Sequence, residues 1–151
     1  MISSFLFGVI FMSTEFPFLN GKQITDTENL PLFKEYAWDF EKDKFIYDGN
    51  GKHILLEGND ALKVWIYKAL KTERFSYLAY SWRYGIEIQQ FIGKVMGVKE
   101  RRSELKRLII ECLMVNPYIV SVDSVKFSET NHAENMQINI ELTTIYGAME
   151  I

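Results

Sequence analysis

Apolar and polar positions along this chain follow two periods, and the switches between them mark its elements. Leu105, Leu108, Ile109, Cys112 and Leu113 fall on one face at helical spacing, while Arg101, Arg102, Lys106 and Arg107 fall mostly on the other. The spacing predicts a helix over about 99–115. Pro117 stops it by biasing Asn116 away from helical geometry. A period of two follows. Val120, Val122, Val125 and Phe127 predict a strand from Ile119, and the change of phase at Asp123-Ser124 predicts a bulge in it. Residues 128–135 read as a polar loop. Met136, Ile138, Ile140, Leu142 and Thr144 then alternate with Gln137, Asn139, Glu141 and Thr143, the pattern of a half-buried antiparallel strand. Gly147 ends it, leaving residues 148–151 as a tail.

The same reading applies upstream. Tyr36, Trp38 and Phe40 alternate with Glu35, Ala37, Asp39 and Glu41. Phe45-Ile46-Tyr47 then meets Asp48-Gly49-Asn50-Gly51, a strong turn signal, and His53 to Leu56 returns as the partner strand of a hairpin. Asn59 is expected to cap a helix over 60–72, with Asp60 at its positive end and Leu62, Trp65, Ile66, Ala69 and Leu70 on its apolar face. Arg74 to Tyr84 is crowded with aromatics and broken by Gly85; a short helix over 86–92 follows, ending at Gly93. Residues 13–34 mix Pro17, Asn20, Gly21, Asn29 and Pro31 with short apolar clusters and predict an extended arm. The fold class is therefore α+β. An arm over 1–34 precedes one small domain over 35–151, built of an N-terminal β-hairpin, two or three helices and a C-terminal antiparallel hairpin.

Composition adds that 48% of residues are hydrophobic, enough for one real core in a chain of 151 residues. Aromatics at 15% serve either that core or a contact surface, since Tyr and Trp suit both. The net charge of −3 argues against a nucleic-acid partner, and its distribution is uneven: net −5 over 1–60, +7 over 61–107 and −5 over 108–151. The basic middle is either a solvated helix face or a means of registering copies or partners. Residues 1–12, MISSFLFGVIFM, are apolar but lack a basic leader and a cleavage site, and are too short to span a bilayer. Met1 then reads as an upstream start before Met12, or the segment as an arm that packs on a partner.

Candidate chemistry is sparse. His53 and His132 are far apart and Cys112 is single, so no metal-ligand set forms and no cofactor is implied. There is no nucleophile with a neighbouring base, no GxSxG and no phosphate-binding glycine loop. Glu73 and Glu87 flank the aromatic segment and are the best available acid pair for a glycosidase, the alternative to a binding role. A small protein–protein adaptor is a third reading. No catalytic residue is assigned. What stands out is the last strand, whose edge carries no proline and only Glu141 and Glu150 as nearby charges. Natural monomers usually blunt such an edge, so a neighbouring strand covers it or another chain pairs with it.

The ordered succession ALKVWIYKALKTERFSYLAYSWRYG, LIIECLMVNPYI, VSVDSV and MQINIELTTIYG, preceded by EYAWDF, DGNGK and EGNDALK, resembles the baseplate wedge and sheath-initiator family of contractile phage tails, specifically its Gram-positive phage-like-element branch. These are distant relatives of the so-called tail lysozyme wedge proteins, so the alternative from another class is a peptidoglycan-cleaving enzyme with Glu73 as its acid. The resemblance spans roughly 35–147. It implies a structural, non-enzymatic protein with no membrane or nucleic-acid partner. It implies six copies per particle, assembled in the bacterial cytoplasm into the baseplate of a phage or a phage-derived bacteriocin (a tailocin). Its partners would be wedge proteins, tail tube or hub proteins, and sheath protein, whose first ring it templates by strand addition. The better-known branch carries Glu-Pro-Arg where this chain has Asn116, Pro117 and Tyr118, so proline is kept and the charged pair is lost. The expected partner-binding residues are Asn116, Pro117 and Tyr118 at a wedge-facing turn, and Ile138, Ile140, Leu142, Thr144 and Tyr146 along the last strand.

Overall fold

A computed structural model describes residues 30–129 and 136–151. The expected arm over 1–29, His132 and most of the expected polar loop lie outside these residues. A three-stranded antiparallel sheet is covered on one face by two helices, and a small layer of short strands flanks the first helix.

The N-terminal layer holds four short strands: β1 (Lys34–Tyr36), β2 (Trp38–Asp39), β3 (Lys44–Phe45) and β4 (Leu55–Glu57). The predicted hairpin is thus more elaborate. β2 pairs with β3, β1 pairs with β4, and the expected turn at 48–51 closes under a Tyr47–His53 bridge. Asp48 supports that turn by accepting from the N–H groups of Asn50 and Lys52, each at 2.8 Å. A second turn at 40–43 was not legible as such. Asp43 takes a positive φ of 55° there, and Trp38, Tyr67 and Lys71 all donate to its carboxylate. Two of those donors come from the following helix, so the turn is held by tertiary contacts rather than turn residues.

β4 runs without a linker into α1 (Gly58–Lys71). Gly58 makes that possible at φ 62°, a left-handed geometry that a side chain disfavours, while its N–H donates to Phe33 O at 3.0 Å. The cap position is Glu57, not the expected Asn59, which lies inside the first turn and reaches instead toward Thr144. Asp60 does occupy the first turn, and Leu62, Ile66 and Ala69 are buried as the spacing predicts.

Past α1 the chain makes a closed excursion. Arg74 N–H donates to Ile86 O at 3.0 Å and Ile86 N–H to Thr72 O at 2.9 Å, which ties the two ends of the aromatic segment together. The helix expected over 86–92 is only a single 3-10 turn at Gln89–Phe91. α2 (Val98–Leu113) follows the predicted course, with Leu108, Ile109, Cys112 and Leu113 buried. Burial pushes the Cys112 thiol up to about 11.

The sheet consists of β5 (Ile119–Glu129), β6 (Met136–Thr144) and β7 (Gly147–Glu150), in the order β5-β6-β7. The bulge at Asp123-Ser124 is present, with a second shift between Ile119 and Ser121. The core joins Leu62, Ile66, Ile86, Leu108, Ile109, Leu113, Ile140 and Leu142 between helices and sheet.

Candidate assembly edges

One expectation about the sheet is corrected here. Residues 148–151 are not a tail. They form β7 and pair with β6 in the register Thr144–Gly147, Leu142–Met149, and the ladder ends where Ile140 and Ile151 exchange bonds of 2.8 and 3.0 Å. β6 is therefore central over this half and is not the sheet's last strand. The return strand escaped notice because the turn between β6 and β7 is Ile145-Tyr146, two apolar residues rather than Asn-Gly. They hold that position through packing on the core and through the hydrogen bond from Tyr146 N–H to Thr144 Oγ1 at 3.0 Å. The one available signal was the spacing of Met149 and Ile151 after Gly147.

The other half of β6 is different. Its ladder with β5 continues through Asn139–Lys126, Ile138–Phe127 and Gln137–Ser128, while β7 has no counterpart beyond Ile151 among the described residues. Alternation assigns the main-chain groups. Ile140 and Leu142 face β7, so Gln137 and Asn139 face β5, and Ile138 turns its N–H and C=O into the row β7 leaves open. No charge and no proline lies at 137–139 to blunt it. β5 is the outer strand on the opposite side, but two bulges and the charges of Asp123 and Lys126 interrupt it.

The outer face over the covered half is acidic. Glu141 stands opposite Glu150. A hydrogen bond from Lys126, with a second from Ser124, holds the Glu141 carboxyl below its usual range. Ser121 and Thr143, each at 2.7 Å, do the same for Asp123. These pairs are exposed and worth little individually.

The eight residues expected to bind partners do not form one surface. Ile140, Leu142 and Thr144 are buried in this chain's own core, and Ile138 is half-buried at the open row. Thr144 Oγ1 lies 2.7 Å from Asn59 Oδ1 and 2.9 Å from Gly147 O, joining α1 to the β6–β7 turn. Asn116 is buried, and its Oδ1 accepts from Tyr118 N–H at 3.0 Å, an Asx turn that starts β5. Tyr118 is also buried. It donates its hydroxyl to Pro31 O at 2.8 Å, meets Phe33 edge-on at 4.8 Å and stacks on Tyr146 at 6.2 Å. The Tyr146 hydroxyl accepts from Phe33 N–H at 2.9 Å. Tyr118 and Tyr146 thus clamp residues 31–33, and of the Asn116–Tyr118 turn only Pro117 is exposed.

The acid pair is engaged elsewhere. Glu73 accepts from Ile88 N–H at 3.2 Å and Gln89 N–H at 3.3 Å, which caps the 3-10 turn, and Glu87 pairs with Arg74 at 3.2 Å. His53 is packed among Tyr36, Phe45 and Tyr47. No described helix is long and apolar enough to cross a membrane.

The chain is 28% identical over 127 residues to the phage-like element PBSX protein XkdS of Bacillus subtilis (strain 168), covering 83% of this chain and 84% of that protein. The family model described as contractile injection system sheath initiator matches residues 34–147. By that match, which takes in the short-strand layer, both helices and the β5–β6 hairpin, the chain belongs to the contractile injection system sheath initiator family.

Proposed function

We propose that this protein is a structural component of the baseplate, joining the tube base to wedge proteins in six copies and seeding the first sheath ring by strand addition. The point of addition is the open row beside Ile138. The observation that carries this reading is that β7 covers β6 only from Ile140 to Thr144, so an incoming strand finds one half-filled row. A strand added there would continue the line of β7 and meet main-chain donors and acceptors already fixed in direction. The placement refines the expectation for the last strand: Ile138 is the contact residue, whereas Ile140, Leu142 and Thr144 support it from inside. Assembly in the bacterial cytoplasm and residence in the tail particle accompany this role.

Proline separates the edge from the fold. At Ile138 it removes an N–H that faces the open row, so the chain keeps its ladder with β5. Ile138→Pro is expected to fold and enter baseplates yet leave them without sheath. Asn139→Pro removes an N–H that faces β5, breaks a ladder hydrogen bond and should destabilise the hairpin itself. Electron microscopy of particles assembled with each variant, alongside thermal unfolding of the isolated chain, checks both. Full-length sheath on Ile138→Pro baseplates would sink the reading.

A further inference from the structure

The segment between Arg74 and Gly85 is a built platform. Its neck is closed by the bonds between Arg74, Thr72 and Ile86, and Gly85 takes φ 98° where an added Cβ would stand 2.6 Å from Thr72 O. Arg74 locks the neck further. Its guanidinium donates to Gly85 O at 3.1 Å, Glu87 at 3.2 Å and Glu111 of α2 at 2.8 Å. Ends held this close around a compact excursion define an Ω-loop.

What the loop presents is apolar. Leu78 is 107% exposed, Trp82 84%, Phe75 64% and Tyr77 60%. The rings brace one another: Phe75 against Trp82 at 6.4 Å, Tyr77 against Tyr80 at 5.9 Å, and Tyr80 against Tyr84 at 4.8 Å, with Tyr84 resting on Trp65 at 5.8 Å. Phe75 is held at φ 66°, unusual for a bulky residue. The patch extends through a groove between Trp82 and the end of α2, where Met114 and Val115 are exposed. Prearranged aromatics exposed in this way are the side chains that dominate binding hot spots.

We propose that this loop docks an amphipathic helix of a partner protein, with aliphatic side chains on its apolar face and carboxylates along its flank. Two observations choose that occupant. The first is charge. No Asp or Glu occurs from Arg74 to Ile86, Arg83 is exposed without an ion pair among the described residues, and Glu111, the acid in the groove, is already engaged by Arg74 and Arg107. An acidic flank would meet Arg83. The second is the backbone. Ser76, Tyr80 and Tyr84 each donate their N–H to the carbonyl three residues back, in successive tight turns, and no residue from Arg74 to Gly85 lies in a strand, so the loop presents side chains rather than a strand edge. That suits a helix seated by residues at i, i+3, i+4 and i+7 spacing.

The inference rests on the assembly role above, but the two fail separately. Without loop docking the chain is missing from the particle; without strand addition the particle holds the chain and lacks sheath. The test places the photo-crosslinker benzoylphenylalanine at Leu78 in the full chain within assembled particles and maps the linked peptide. The expected product is a helical partner segment with that apolar spacing and flanking Asp or Glu. A link to residues 1–29 of the same chain, to a second copy, to a segment without carboxylates, or to nothing overturns the proposal. In parallel, Leu78→Ser/Trp82→Ser should keep the unfolding temperature while incorporation falls tenfold or more, and Arg83→Glu should lower it several-fold. Normal incorporation of the double variant would refute docking, and normal incorporation of Arg83→Glu would refute the acidic flank.

Discussion

The two halves of β6 carry the same alternation and pair with the same neighbour, yet they have opposite surroundings. From Ile140 to Thr144 the strand lies between β5 and β7 under the helices; from Met136 to Asn139 only β5 accompanies it among the described residues. The difference teaches that alternation reports which face of a strand is buried and says nothing about whether its edge is covered. Cover depends on a neighbour elsewhere in the chain, here four residues whose own pattern is weak.

Truncation offers the largest contrast between the halves. Leu142 is 1% exposed, so Leu142→Ala is expected to cost about 2–5 kcal/mol from lost burial and the cavity left behind. Ile138→Ala, at the open row, should cost about 1 kcal/mol or less, since a half-buried side chain leaves little cavity. Denaturant unfolding of both variants measures the gap, and equal losses would mean that the outer half of β6 is packed as the inner half is.

A smaller effect probes the clamp at the covered end. Tyr118→Phe keeps the ring contacts and removes the hydroxyl bond to Pro31 O, so stability should fall by about 1 kcal/mol. Tyr118→Ala loses the packing as well and should fall further. Placed inside the domain, this side chain affects stability before assembly.

The smallest contrast is in pH. Because the folded chain holds the Glu141 and Asp123 carboxyls below their ordinary values of 4.5 and 3.8, the unfolded chain takes up protons first as the pH drops. Their contribution is therefore complete above about pH 5 and is lost as the pH falls through the folded values. Amide exchange followed from pH 6 to pH 3 should show the β5–β6 ladder loosening, since these bonds join β5 to β6, and Glu141→Gln should weaken that dependence. Exposure of these groups keeps the effect small.

Much of the fold was legible where one segment supplies its own reason. α2 has an apolar stripe and a proline stop, β5 shows its bulge as a break in phase, and the turn at 48–51 is made by Asp48 and its glycines. Illegible features needed a distant partner. The turn at Asp43 depends on donors from α1, Asn59 is drawn from the cap position toward Thr144, and β7 exists because β6 supplies its bonds. The wedge-facing assignment of Asn116 and Tyr118 came from position in the family pattern. That position says nothing of where the side chains turn: Asn116 accepts from Tyr118 N–H, and Tyr118 reaches Pro31 and Phe33. The aromatic segment was visible as composition, but its role as a presented surface depends on a neck closed by Arg74.

The Tyr118–Tyr146 clamp also gives the molecule a direction. It grips the incoming chain at the end of the sheet where Ile119 meets Thr144, while the half-filled row begins at Ile138. From Ile138 to Thr144, at about 3.3 Å per residue, these points are roughly 20 Å apart. On the proposed reading, a strand arriving beside Ile138 would therefore leave the clamp on residues 31–33 untouched, and the domain between them would be a spacer of set length and polarity.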